Sequence, residues 1–386
     1  MLKIVNVAGA RPNFVKIGPI IAELRKHPDS FFATLVHTGQ HYDDTMSDSF
    51  FRDLEIPRPD ISLNVGSGSH AQQTAEIMRR FEPVLLDLKP DYVLVVGDVN
   101  STIACALTAA KLQSGVIHVE AGLRSFDREM PEEVNRVLTD HVADLLFVTE
   151  ESGRRNLLNE GIAEDRIHLV GNVMIDSLQR QLAAAGRSGI LSRLGLAPER
   201  YGLVTLHRPS NVDKLEVFPG ILSSLAAISR NLPVVFPIHP RTEARLAEWK
   251  LDKFFANSGA EIGSEEKWHG LYRTPPLGYL DFLQLMRNAR LVLTDSGGIQ
   301  EETTVLGVPC LTLRNNTERP STIYIGTNRL VGNDPRDIEP AVAQVLATPK
   351  PTASLPPFWD GHTASRIVEV LLGIEKQRCS GVAPGK

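Results

Sequence analysis

The sequence predicts two doubly wound α/β domains facing a central cleft, and two features of it carry that reading. Short apolar runs alternate with helical patterns, and nearly every run ends in a polar or glycine-rich cluster, the pattern of parallel sheets covered by helices. The chain of 386 residues also exceeds what one ordinary core organises.

In the first half the strands fall at Leu2–Ala8, Phe32–His37, Tyr92–Val96, Val116–Val119, Leu145–Val148 and Ile167–Val170, with helices such as Gly18–Lys26 and Ala71–Leu88 between them. Gly171-Asn172 closes this series. After a helix near Met174–Ala184 a second series begins, with strands at Leu203–Leu206, Val234–Ile238, Leu291–Leu293 and Cys310–Leu313. The expected Rossmann-like domains are therefore 1–171 and 172–358. The proline-rich stretch Ala347–Phe358 cannot be one helix, whereas a helix over 360–375 can cross back to the first domain. The tail 376–386 is expected to be disordered.

Composition narrows the class. Hydrophobic content of 42% and charged content of 23% are globular values, and a net charge of −5 gives no general attraction to nucleic acid or an anionic membrane. Cys105, Cys310 and Cys379 are odd in number and far apart, so neither a disulfide framework nor a zinc cluster is indicated, and a reducing cytoplasm fits. No apolar segment reaches membrane-spanning length and no signal peptide is expected.

In open parallel sheets, ligands bind beyond the carboxyl ends of the strands. The stretch L-V-L-T-D-S-G-G-I-Q-E-E, Leu291 to Glu302, reads as strand, tight turn and helix start. Asp295 and Ser296 are helix-capping types, and Gly297 and Gly298 let an anion approach backbone N–H groups at the positive end of the helix dipole. Gln300, Glu301 and Glu302 then fall in the first helical turn, placed to accept bonds from ribose hydroxyls. The other post-strand residues are Gly9-Ala10-Arg11-Pro12 with Lys16, Thr38-Gly39-Gln40-His41, Gly97-Asp98, Glu120 to Arg124, His207-Arg208 and His239-Pro240-Arg241. Cations and glycine turns suit a nucleotide diphosphate, and carboxylates suit proton transfer on a bound sugar. Each also has a plain structural alternative. Arg11 and Lys16 can be solvated charges, Asp98 a helix cap, His118 a satisfied core histidine, Glu132-Glu133 with Arg136 a helix-surface i,i+4 set, and His207 a structural side chain.

G-A-R-P at Gly9, T-G-Q-H at Thr38, V-G-D at Val96, H-V-E-A-G-L-R-S at His118, P-E-E-V-N-R at Pro131, H-R-P at His207, H-P-R at His239, D-S-G-G-I-Q-E-E at Asp295 and T-E-R-P at Thr317 together resemble the non-hydrolysing UDP-N-acetylglucosamine 2-epimerases, from Met1 to Gly332. The resemblance implies a GT-B-like fold with a UDP-sugar in the interdomain cleft, interconversion of UDP-GlcNAc and UDP-ManNAc, no metal or redox cofactor, and a homodimer supplying surface polysaccharide. It also implies proton transfer by Asp98 and Glu120, with Glu132 as third candidate. Arg11, Lys16, Arg136 and the catalytic candidate His207 lie near diphosphate and sugar. Ser296, Gly297 and Gly298 take the phosphates, Glu302 the ribose, and Tyr279 to Phe282 the uracil.

The chain departs from the common pattern at Ala10, at Asn13-Phe14 and at Ser321-Thr322 after T-E-R-P, which leaves room for a diacetamido or uronic UDP-sugar. Tyr42-Asp43-Asp44 follow T-G-Q-H where substrate-activated members carry basic or amide residues, so allosteric activation is not expected. A GT-B glycosyltransferase, a hydrolysing epimerase and a silent nucleotide-sugar sensor are the rival readings.

Overall fold

The computed structural model describes residues 1–39, 56–256, 270–350 and 354–379. Gln40-His41, Tyr42-Asp43-Asp44 and the end of the chain from Ser380 lie outside them. The chain divides into two compact units, one of Met1–Gln179 with the chain from Pro357 onward, the other of Arg180–Pro356.

The first unit holds a seven-stranded sheet of order β3-β2-β1-β4-β5-β6-β7. Its strands are β1 (Leu2–Ala8), β2 (Phe31–His37), β3 (Ile61–Ser62), β4 (Tyr92–Val96), β5 (Gly115–Ala121), β6 (Leu145–Val148) and β7 (Ile167–Leu169). Every pairing is parallel. β1 and β4 are neighbours although β2 and β3 intervene in sequence, so the winding reverses between them. The crevice outside their carboxyl ends is the ligand position such a sheet provides. Helices cover both faces, and Val93 to Val96 are buried throughout, which explains why this strand reads as an unbroken apolar run.

Two helices differ from expectation. The first runs Arg11–Leu24, starting well before Gly18 and carrying Pro12 in its first turn, where a missing N–H costs nothing, and Pro19 inside. Its start is fixed by Asn13, whose Oδ1 accepts from the N–H of Gly9 (3.2 Å) and Ala10 (2.9 Å). The last helix runs Thr363–Cys379, so the tail expected from residue 376 is helical as far as Cys379. Lys376 and Arg378 in its final turn favour the dipole, Arg378 pairs with Asp91, and the Met1 ammonium reaches Glu375 at 3.1 Å. This C-terminal segment is locked onto the first unit. Trp359 is 1% exposed and donates to the Thr149 carbonyl at 3.0 Å, and Asp176 accepts from the N–H of Thr363 and Ala364.

The second unit repeats the plan with six strands of order β10-β9-β8-β11-β12-β13. They are β8 (Gly202–Thr205), β9 (Val234–Pro237), β10 (Leu271–Thr274), β11 (Leu291–Thr294), β12 (Cys310–Thr312) and β13 (Asn328–Leu330), again all parallel. Here the winding reverses between β8 and β11. Val204, Phe236, Leu291 and Leu293 meet Ile221, Leu222 and Leu225 in the core, each large side chain contributing about 1.5–3 kcal/mol. Among the described residues, no helix is long and apolar enough to cross a membrane.

Gly171, at φ +96, lies against the Phe358 carbonyl, which a Cβ would strike, whereas Gly161 at φ +84 faces open space. Gly171→Ala is expected to lower unfolding free energy by at least about 2 kcal/mol, and Gly161→Ala by only about 1 kcal/mol. Urea denaturation of the two variants checks this; equal losses would mean that the returning segment yields freely.

Candidate functional site

The first unit gathers its charged groups at the carboxyl ends of β1, β4 and β5. Glu120 is the central one. It has φ +70, and the register of β5 against β6 shifts between Val119 and Ala121, so Glu120 is a bulge residue. A bulge re-aims a side chain, here into the protein, since Glu120 is 2% exposed. Its Oε2 pairs with the Lys16 ammonium, and its buried Oε1 has no hydrogen-bond partner among the described residues. Gly97, at the end of β4, leaves room for this pair. A Cβ there would lie 3.3 Å from Glu120 Oε2 and 3.4 Å from Lys16 Nζ. Asn13 completes the group, donating to the Val96 carbonyl at 3.1 Å.

His118 supports this arrangement from behind. It is fully buried, with Nε2 2.9 Å from the Gly97 carbonyl and Nδ1 2.6 Å from Asp140. Asp140 also accepts from the Gly122 N–H at 3.0 Å and pairs with Arg124 at 2.7 Å. Burial alone would push the Asp140 carboxyl up, but His118 and Arg124 outweigh it and hold it below the usual range. His118 and Gly122 flank Glu120, so one carboxylate braces both sides of the bulge.

Asp98 follows β4 and is half-buried. Its Oδ2 accepts from Arg136 Nε (3.0 Å) and Nη2 (2.8 Å). Arg136, 3% exposed, also pairs with Glu133, which accepts from the N–H of Ser125 (2.9 Å) and Phe126 (2.8 Å). Of the adjacent glutamates, Glu133 thus fastens a loop, while Glu132 stands half-buried in the first turn of the helix Pro131–Val142. Arg11 is half-buried at the start of the helix Arg11–Leu24.

In the second unit Asp295 is fully buried after β11 and accepts from the N–H of His207 (3.1 Å) and Arg208 (2.9 Å) and from Asn211 Nδ2 (3.1 Å). It ties the loop after β8 to the end of β11 and caps no helix. Ser296 is the N-cap residue of the helix Gly297–Leu306 but makes no side-chain capping bond. The first turn is consequently Gly297, Gly298 and Ile299, and Gln300, Glu301 and Glu302 fall in the second, contrary to the sequence expectation. The His207 ring lies 3.2 Å from Asp295 and 5.8 Å, centre to centre, from the His239 ring. Surrounding protein atoms lower its pKa against the pull of Asp295, with Arg208, His239 and Arg241 adding to the effect. The side chain keeps 37% of its surface open, so solvent screens part of that shift.

Glu301 and Glu302 diverge. Glu301 pairs with Arg319 at 2.7 Å, and Arg319 also meets Glu318 at 2.6 Å, which in turn holds Arg314 at 2.9 Å. Arg319 packs so closely over the helix start that a Cβ on Gly297 would lie 2.7 Å from its Nη1. The sequence motifs assign Arg319 no site role, and its place in T-E-R-P, after β12, is the signal that points to it. Glu302 instead accepts from the Tyr279 hydroxyl at 2.8 Å. Burial lifts the Glu302 carboxyl to about 7, the Tyr279 bond opposing and the Glu301 charge adding. Phe282 is half-buried one turn beyond Tyr279 in the helix Tyr279–Asn288.

Two parallel sheets, each with charged and glycine-rich loops at its reversal point, define a GT-B-like α/β protein. A family model described as UDP-N-acetylglucosamine 2-epimerase matches residues 22–372. The UDP-N-acetylglucosamine 2-epimerase of Methanococcus maripaludis is 43% identical over 382 residues, 97% of this chain and 100% of that protein. The UDP-2,3-diacetamido-2,3-dideoxy-D-glucuronate 2-epimerase of Pseudomonas aeruginosa is 39% identical over 376 residues, 96% of this chain and 99% of that one. The crystal structure of Methanocaldococcus jannaschii UDP-GlcNAc 2-epimerase in complex with UDP-GlcNAc and UDP matches with a TM-score of 0.86 at 42% identity, covering 96% of this chain and 100% of that chain. The chain belongs to the UDP-N-acetylglucosamine 2-epimerase family.

The Glu302 carboxyl makes stability depend on pH. Raised from 4.5 to about 7, it favours the fold while protonated, and that contribution is lost as pH climbs through about 7, a change on the order of 3 kcal/mol. Glu302→Gln keeps the Tyr279 bond and cannot ionise. Its unfolding free energy is therefore expected to gain on the parent's between about pH 5 and about pH 8, by urea titration at each pH. A constant difference would show that Glu302 ionises without cost.

Proposed function

We propose that the protein epimerises carbon 2 of a UDP-N-acetylhexosamine, converting UDP-GlcNAc to UDP-ManNAc by elimination and re-addition of UDP. The observation that carries this reading is the buried Glu120 carboxylate, paired with Lys16 on one oxygen and, among the described residues, without a hydrogen-bond partner on the other, in a chain of this family. The proton on carbon 2 is not acidic, because an acetamido substituent offers no carbonyl conjugation to a carbanion there. It becomes removable if the bond from carbon 1 to the diphosphate breaks as it leaves. Positive character at carbon 1 then acidifies carbon 2, and the products are an unsaturated 2-acetamidoglucal-like sugar and UDP. Return of a proton to the opposite face of carbon 2, with UDP adding back at carbon 1, gives the epimer, so water must be kept out.

Two acid–base groups are required, and Asp98 and Glu120, at the ends of the adjacent strands β4 and β5, are our assignment, with Glu132 as third candidate. Lys16, Arg11, Arg136 and His207 offer donors to sugar and leaving diphosphate. Ser296 and the first-turn N–H groups of Gly297 and Gly298, with Arg319 against Gly297, suit phosphate; Glu302 suits the ribose, and Tyr279 and Phe282 the uracil. We infer a cytoplasmic homodimer making activated sugar for surface polysaccharide. A second reading, 2-epimerisation of a diacetamido uronate, is favoured by the Pseudomonas aeruginosa relative and by the Ser321-Thr322 departure.

Nuclear magnetic resonance of UDP-GlcNAc with the protein in deuterated water is expected to show two UDP-sugars, the new one deuterated at carbon 2. Free ManNAc would mean hydrolysis, and unchanged substrate would sink the proposal, turning attention to the diacetamido uronate, a transferase or a sensor.

Variants separate binding from chemistry. Asp98→Asn and Glu120→Gln should lower kcat by at least about 10²-fold with little change in UDP affinity. Gly298→Val should weaken UDP by at least about tenfold, roughly 1.4 kcal/mol. Coupled rates and UDP calorimetry are the measurements. Near-normal kcat in the carboxylate variants, or normal UDP binding by Gly298→Val, would contradict the assignment.

A further inference from the structure

Tyr279, which the resemblance places in the wall against uracil, also engages a second residue through its hydroxyl. It is the first residue of its helix, immediately after the N-cap Gly278, and its side chain reaches Glu302 on the helix Gly297–Leu306. The phenol donates in this bond, and burial, the nearby Glu302 charge and the bond itself raise its pKa well above the ordinary value, so it keeps its proton. The Arg319 guanidinium is engaged by Glu301 and Glu318. Among the described residues, the charged and titratable groups around Glu302 are thus Tyr279 from one side, Glu301 on its own helix, and Arg319 with Glu318 beyond Glu301.

We propose that Tyr279 is a positioning residue for Glu302, orienting its carboxylate and favouring the ionised form that accepts both ribose hydroxyls, so that uptake of the nucleotide draws Glu302 towards that form. This rests on the reading that Glu302 receives the ribose. The chemistry is a matter of donor and acceptor count. A carboxylate with one oxygen already accepting from Tyr279 keeps enough lone pairs for two hydroxyls, whereas a neutral carboxylic acid presents an O–H that competes with them. With the Glu302 carboxyl lifted by burial to about 7, the two forms coexist near neutrality. The phenol bond favours the charged one. Discrimination for the 2′-hydroxyl therefore strengthens as pH rises through that point.

The test uses the intact protein and the sugar nucleotide, since the terminal phosphate of free UDP itself titrates near neutrality. KM and kcat for UDP-GlcNAc and for its 2′-deoxyuridine analogue are measured from about pH 6 to about pH 8.5 on the parent, Tyr279→Phe and Glu302→Gln. In the parent, 1/KM for UDP-GlcNAc should rise with pH and level off, while the deoxy analogue shows a flatter profile. Tyr279→Phe should move the inflection upward by at least about half a pH unit and raise KM near pH 7 by about fivefold, with kcat changed less than about twofold. A group that merely packed would not move the inflection. If Tyr279→Phe kept the parent's inflection while Glu302→Gln flattened the profile and lost 2′-hydroxyl discrimination, the role of Tyr279 would be overturned and the ribose reading would stand. If Glu302→Gln kept both the profile and the discrimination, the ribose reading would fall and the proposal with it.

Discussion

A carboxylate buried on a left-handed backbone is the constraint around which the first unit is built. Glu120 combines two costs, a positive φ worth about 1–2 kcal/mol for a side-chain-bearing residue and removal of a charge from water, which without a partner costs several kcal/mol. Lys16 answers the second directly. The first is imposed by the neighbours of the bulge, His118 and Gly122, both bound to Asp140, whose other partner Arg124 is itself fixed by Glu160 at 2.7 Å. Conformational strain at one residue is thereby distributed over a hydrogen-bonded network, and one buried oxygen of Glu120 has no donor among the described residues.

The second unit meets a related problem by sorting its carboxylates. Asp295 satisfies backbone N–H groups and holds the loop bearing His207, so the helix after β11 opens with no side-chain cap over its first turn. Glu301 and Glu318 are bound to arginine, which places the Arg319 guanidinium beside Gly297. Glu302 has only a phenol as donor among the described residues, and burial, with the Glu301 charge adding, outweighs that bond and lifts its pKa. A helix start without a side-chain cap and a buried carboxyl raised by burial thus sit on the same helix and are controlled by different partners.

What the sequence made legible follows the same physics. Strands buried on both faces, such as Tyr92–Val96 and Leu291–Thr294, are readable because burial demands an unbroken apolar run, and the residues after them are readable as ligand-side because parallel sheets bind there. The edge strands β3, β10 and β13 were missed: Ile61-Ser62 is too short, while Leu271–Thr274 and Asn328–Leu330 carry arginine and polar residues that edge positions tolerate. Pro12, Gly18 and Pro19 disguised the first helix, since propensity argues against what its tertiary packing enforces. Adjacent glutamates were the hardest to resolve. Glu132 and Glu133, or Glu301 and Glu302, differ by one residue on a helix, and only the partners brought in from elsewhere, such as the Ser125 N–H at Glu133, Arg319 at Glu301 and Tyr279 at Glu302, tell their roles apart.

The central claim is that the carbon 1–oxygen bond breaks and re-forms while UDP stays bound. Positional isotope exchange tests it most directly, with UDP-GlcNAc carrying oxygen-18 in the bridge between carbon 1 and the β-phosphorus. Rotation of the released β-phosphate would move the label into non-bridging positions, visible by phosphorus nuclear magnetic resonance, at a rate comparable to epimerisation. Epimer formed with the label wholly retained in the bridge would contradict elimination and require a route that leaves that bond intact.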